Sequence, residues 1–133
     1  MHIDAGNPFE HRLTVLNSDI DELGHVNNVV YVRWIQEVAA AHWSAVVPEE
    51  IRNRYLWVVL RHEIDYKHPV RFSDQVAGRT WVGSHYGARF ERFVSLAAPD
   101  ASRIFAEAKT IWCLLERASM KPLRIPDEVL RLL

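Results

Sequence analysis

The sequence predicts an α+β fold in which a curved antiparallel sheet of about five strands wraps one long helix. Three observations carry this. The stretch Asn28 to Val46 is apolar or small over most of a helical circumference. Four strand-like segments follow it in succession, separated by Gly, Pro, Asp and Ser turn signals. One further strand-like segment precedes it. Consecutive strands joined by short turns pair antiparallel. A sheet curled around one helix buries both the helix and its own concave face.

The elements run in this order. Phe9 to Asn17 reads as a first strand, with Leu13 and Val15 alternating against Arg12, Thr14 and Leu16. Asn17 to Asn27 is a turn rich in polar and acidic residues. Asn27 or Asn28 is a suitable N-cap, because its side-chain oxygen can accept from the first unpaired N–H groups. The helix runs from about Asn28 to Val46. Its polar residues Arg33, Gln36, Glu37 and Ser44 share one narrow stripe, so the rest of the surface asks to be covered. Pro48 blocks its continuation.

From Val58 to Lys67, Leu60, His62, Ile64 and Tyr66 alternate with Arg61, Glu63, Asp65 and Lys67. Gln75 to Gly83 is the next strand, and Ser84 to Gly87 is a hairpin signal. Ala88 to Ala97 is a strand whose phase conflicts at Glu91-Arg92, which suggests a bulge there. Pro99-Asp100 turns the chain into a long last strand, Arg103 to Glu116. Pro126 starts a short helix, Asp127 to Leu132.

Length and charge bound the function. With 133 residues the chain reads as one domain over 1–133. A net charge of −1 gives no general field for nucleic acid or an anionic membrane. The lone Cys113 sits in an apolar run and reads as a small buried hydrophobe, not part of a disulfide framework. A reducing cytoplasm is the simplest compartment. Met1-His2-Ile3-Asp4-Ala5-Gly6 has no signal-peptide pattern. No apolar run approaches the roughly 20 residues of a membrane span. The histidines show no recurring ligand spacing, so no metal is expected. No serine lies in a nucleophile elbow, and no glycine-rich loop offers a phosphate site.

The chemistry concentrates in Asp19-Ile20-Asp21-Glu22-Leu23-Gly24-His25-Val26-Asn27-Asn28-Val29-Val30-Tyr31. An acid pair precedes a helix start. Such a start offers free N–H donors and a partial positive charge of roughly half a unit, which can hold an oxygen that gains negative charge. A carboxylate a few residues away can act as base or nucleophile. Asp19 reads as the structural acid, holding the loop by hydrogen bonds.

This order and motif resemble the hotdog fold, specifically the 4-hydroxybenzoyl-CoA and other short acyl-CoA thioesterases. The likeness covers nearly the whole chain. It rests on the Asp19-x-Asp21-x-x-Gly24 run leading to Tyr31, on Glu63-Ile64-Asp65-Tyr66 before Pro69-Val70, and on Arg124-Ile125-Pro126. The portion from His25 to Tyr31 is similar to the acyl-carrier-protein thioesterase branch. That branch carries an asparagine where this chain has Leu23, so the simpler acyl-CoA branch fits better.

The resemblance implies an acyl-CoA thioesterase with no cofactor and no metal. Asp21 matches the catalytic acid, and the amides near Asn27 and Asn28 match the carbonyl-polarising donors. His25 and Asn27 are positioning or supporting residues. Tyr31 is either core or substrate wall. Arg89 and Arg92 are candidates for the CoA phosphates, or ordinary solvated sheet residues. A homodimer or homotetramer is implied, with the site at a subunit interface. The rivals are hydrolysis of acyl-carrier-protein thioesters and a non-catalytic acyl-CoA binding protein.

Overall fold

The computed structural model describes residues 3–133. The expectation about the N-terminal residues Met1 and His2 lies outside them. The elements are β1 (Phe9–Leu13), a 3-10 turn (Asn17–Asp19), α1 (Asn28–Val46), α2 (Glu49–Arg52), β2 (Tyr55–Tyr66), β3 (Val76–Tyr86), β4 (Arg89–Ala97), β5 (Ile104–Glu116) and α3 (Asp127–Leu132). The five strands form one antiparallel sheet in the order β1-β3-β4-β5-β2. This is the α+β arrangement that the sequence predicts.

The bounds of α1 and α3 coincide with the sequence reading. Asn27 is the N-cap of α1, and its side chain accepts from the Val29 N–H. β1 ends earlier than expected, at Leu13, because the chain bends into the 3-10 turn. α1 is not covered all round within one chain. It buries one stripe, Val30, Tyr31, Trp34, Ile35, Val38, Ala39 and His42, while Val29 stays 73% exposed. The sheet reaches only one flank of the cylinder.

The sheet's concave face holds that stripe. Cross-strand partners place Phe90, Arg92, Val94 and Leu96 of β4 on the same side as Trp112, Thr110, Ala108 and Ala106 of β5. Trp34, Ile35 and Val38 pack there with Leu13, Val76, Val94, Leu96 and Phe105. Burial at about 25 cal/mol per Å² makes this the main stabilising contact of the fold.

Two strand phases differ from the sequence reading. The register of β2 against β5 shifts between Val59 and Arg61, so Leu60 is the extra residue and is 48% exposed. The inward set is Tyr55, Trp57 and Val59 before the bulge, and His62, Ile64 and Tyr66 after it. The bulge expected at Glu91-Arg92 lies instead on the facing strand, between Val82 and His85. β4 keeps its alternation and carries Arg92 into the interior, where it is 7% exposed. The β3–β4 hairpin turns at Gly87, whose φ of +60° favours glycine. Cys113 is buried. No described helix is long and apolar enough to cross a membrane.

Candidate active site

The loop between the 3-10 turn and α1 is closed by its own backbone. Asp21 N–H donates to the His25 carbonyl at 2.8 Å, and Gly24 N–H to the Asp21 carbonyl at 3.0 Å. Gly24 has φ +79°, so this turn needs a residue without Cβ. Asp21 Oδ1 accepts from Leu23 N–H at 2.9 Å and from His25 N–H at 3.3 Å. Oδ2 has no hydrogen-bond partner among the described residues. One carboxylate oxygen therefore fixes the loop and the other is available.

Asp19 anchors the same loop from below. It is 2% exposed, and its oxygens accept from Arg33 Nη2 at 3.0 and 3.1 Å. Its Oδ2 also accepts from Leu16 N–H at 2.9 Å. The acid pair thus divides its work: Asp19 holds and Asp21 faces a cavity. Val26, 3% exposed, donates its N–H to the Val70 carbonyl at 2.7 Å and pins the helix entry to the loop between β2 and β3.

The first turn of α1 has one donor left. Asn27 N–H is taken by the Asp19 carbonyl at 2.8 Å. Val29 N–H is taken by Asn27 Oδ1 at 3.0 Å. Val30 N–H goes to the Asn27 carbonyl at 2.9 Å. Asn28 N–H has no partner among the described residues. The expectation of donors at both Asn27 and Asn28 narrows to Asn28.

A cavity of about 480 Å³ brings these groups together. It is lined by Asp21, His25, Asn27, Asn28 and Tyr31, with Leu23, Val26, Tyr66, Lys67, His68 and Pro69 completing the wall. Tyr31 is both core and wall. It is 2% exposed, packs edge-on against Trp34 and Tyr66, and accepts the Val70 N–H at its Oη. Burial raises its phenol above the ordinary value, against the lowering pull of the Val70 N–H.

Arg89 and Arg92 do not line this cavity. Three positions apart on β4, they face opposite sides of the sheet. Arg89 lies on the outer face with Arg61, Glu63 and Lys109. Arg92 is no solvated sheet residue; it is buried against His42 and Thr80. The cavity is also lined by Lys67 and His68, which the sequence reading does not single out. Lys67 pairs with Glu107 at 3.2 Å, and His68 Nδ1 lies 3.0 Å from the Ile104 carbonyl. They reach the site from the end of β2, and only the adjacent Tyr66 and Pro69-Val70 hint at them.

A five-stranded antiparallel sheet curved around one long helix defines a hotdog-fold protein. The sequence profile of the thioesterase-like superfamily matches residues 15–133, and the chain belongs to that superfamily. A hypothetical protein from Aquifex aeolicus superposes with a TM-score of 0.83 at 24% identity, over 95% of this chain and 99% of that one. A thioesterase from Thermus thermophilus, solved with coenzyme A and Zn, superposes with a TM-score of 0.79 at 22% identity, over 92% of this chain and 88% of that one. An uncharacterised Mycobacterium tuberculosis protein is 26% identical over 111 residues, 84% of this chain and 43% of its own length. The chain spans less than half the length of the curated relatives it matches.

Proposed function

We propose that the protein hydrolyses an acyl-CoA thioester to the free acid and CoA. The observation that carries this reading is that Asp21, whose Oδ2 is unbonded among the described residues, and Asn28, whose N–H is likewise unbonded, line one cavity. Superfamily membership supports the reaction, and the coenzyme A held by the Thermus thermophilus thioesterase supports the substrate class.

Sulfur donates poorly into a carbonyl, so the thioester carbon is already electrophilic. As the new C–O bond forms, the π electrons move onto the carbonyl oxygen. Asn28 N–H and the helix dipole stabilise that oxygen, at about 3 kcal/mol for a well-aimed donor. Asp21 Oδ2 takes a proton from water as the water oxygen attacks. Collapse expels the CoA thiolate, which is then protonated. In a second route Oδ2 itself attacks, and water opens the mixed anhydride. Both routes use the same oxygen. His25 positions substrate, Asn27 holds the helix start, and Tyr31 forms the acyl wall. Lys67 and His68 meet the CoA phosphates in place of Arg89 and Arg92.

β2 is a twelve-residue edge strand. Such an edge is a template for pairing, and a second copy of this chain is its proposed partner.

Thiol release from short, long and aromatic acyl-CoAs, beside matched carrier-protein thioesters, tests the reading. Release above a no-protein blank with preference for CoA substrates is expected. Preference for the carrier protein reassigns the substrate. Saturable acyl-CoA binding with no thiol release makes the protein a binder.

A further inference from the structure

Arg92 poses a problem that the Asp21 site does not use. It is a buried guanidinium, 7% exposed, and no described carboxylate lies within ion-pair distance. Its Nη1 donates to His42 Nδ1 at 3.1 Å and to Thr80 Oγ1 at 3.0 Å. Both partners are neutral. Thr80 is an alcohol. Burial, and then the Arg92 charge, hold His42 down at about 4, so its imidazole is uncharged at neutral pH. Burial lowers Arg92 itself only to about 10, so it keeps its charge. The neighbouring Glu91 offers no counter-charge, because it pairs with Lys109 at 3.2 Å. A buried charge without a counter-ion is costly, and such groups are ordinarily paired.

The guanidinium does not end in packed protein. Arg92 lines a cavity of about 120 Å³ between the C-terminal half of α1 and the sheet. Its Nε and Nη2 make no hydrogen bond among the described residues. The other walls are mainly apolar, with Trp43, Trp57, Phe90 and Trp112 as the aromatic side chains and Leu133 at one side; Glu91, held by Lys109, also borders the cavity. Trp112 adds a buried indole N–H with no acceptor. The cavity therefore combines aromatic walls with a cation that has no ion-pair partner among the described residues.

It is separate from the Asp21 cavity. The two share no lining residue. Asn28 and Ala39 are eleven positions apart on α1, which is about 16 Å of helix.

We propose that this cavity is a second ligand site, taking a small aromatic monocarboxylate whose carboxylate pairs with Arg92 and whose ring lies among Trp43, Trp57, Phe90 and Trp112. The proposal stands whether or not Asp21 hydrolyses thioesters.

The test uses the full chain, with benzoate and its uncharged counterpart benzyl alcohol, read by tryptophan fluorescence and calorimetry. Saturable benzoate binding is expected, with Kd below about 1 mM and benzyl alcohol at least roughly tenfold weaker. Arg92→Gln should weaken benzoate at least roughly tenfold and leave benzyl alcohol nearly unchanged. Asp21→Asn should leave benzoate binding unchanged. Benzoate no tighter than benzyl alcohol in the natural protein overturns the proposal, and needs no variant that could fail to fold. So does benzoate binding that survives Arg92→Gln in a folded protein or disappears in Asp21→Asn. Absence of saturable benzoate binding also overturns it, and leaves a carboxylate from a second subunit as the partner of Arg92.

Discussion

Asp21 and Asn28 line one cavity, and in each a single polar group is left over when its neighbours are bonded. Leu23 and His25 N–H groups occupy Asp21 Oδ1, which leaves Oδ2. The Asp19 carbonyl, Asn27 Oδ1 and the Asn27 carbonyl occupy the donors on either side of Asn28. One acceptor and one donor of a loop held by its own hydrogen bonds are thereby left unbonded among the described residues.

Asn28→Pro isolates the donor. Asn28 is the first residue of α1, where proline is tolerated because its N–H has no intrahelical partner. Asn27, at φ −62° and ψ 140°, already has the conformation required before proline. Helix content by circular dichroism should be unchanged. kcat should fall by about 10² to 10³, the loss measured when one oxyanion donor is removed. Unchanged kcat would mean that Asn28 N–H does not touch the carbonyl oxygen.

Asp19→Ala tests the anchor. It strands the Leu16 N–H and the Arg33 guanidinium. Arg33 is 51% exposed, so solvent screens the ion pair, and the remaining loss is that of the part-buried Leu16 N–H bond. A destabilisation of about 1–3 kcal/mol is expected, read as a lower Tm and denaturation midpoint. Arg33→Ala should cost less than Asp19→Ala.

Gly78→Ala tests the helix–sheet contact. A Cβ there would drive into Val38 Cγ2 of α1 and lie 3.1 Å from Leu13 Cδ2. Overpacking of this kind costs about 1–3 kcal/mol. Val38→Ala added to Gly78→Ala should recover part of that loss, so chemical denaturation of the four proteins in a double-mutant cycle should show favourable coupling.

His42 makes stability pH-dependent. Its folded value of about 4 lies below the ordinary 6.5, chiefly through burial. Between these values the unfolded chain binds more protons, so stability rises with pH. The full effect is present above about pH 6.5 and is lost as pH falls toward 4, by up to about 3 kcal/mol. His62, also lowered by burial, adds with the same sign. Urea denaturation from pH 4 to 7 should show this slope, and His42→Gln should reduce it without abolishing it.

The elements legible in the sequence are those set by local chemistry. α1 and α3 follow from Asn27 and Pro126 at their starts and from apolar spacing. The Asp19–Tyr31 motif is readable because its geometry is a closed loop of neighbours. What is not legible depends on partners distant in sequence. The bulge at Leu60 is fixed by β5, and the one opposite Glu91 sits on β3. Arg92 breaks the apolar pattern of β4 only in appearance. Phe90, Val94 and Leu96 on either side of it all face inward, and it follows them. Lys67 and His68 join the site through the end of β2, which no local signal in the helix motif could announce.

Asp21→Asn, assayed for thiol release on the best acyl-CoA substrate, is the most direct measurement. Asparagine Oδ1 can still accept the Leu23 and His25 N–H groups, so the loop and Tm should be kept. The side chain can no longer take a proton or attack. A fall in kcat of about 10² to 10⁴ at unchanged oligomeric state is the expected result. Turnover within a few-fold of the natural protein would contradict the account, because the carboxylate in the cavity would then not perform the hydrolysis.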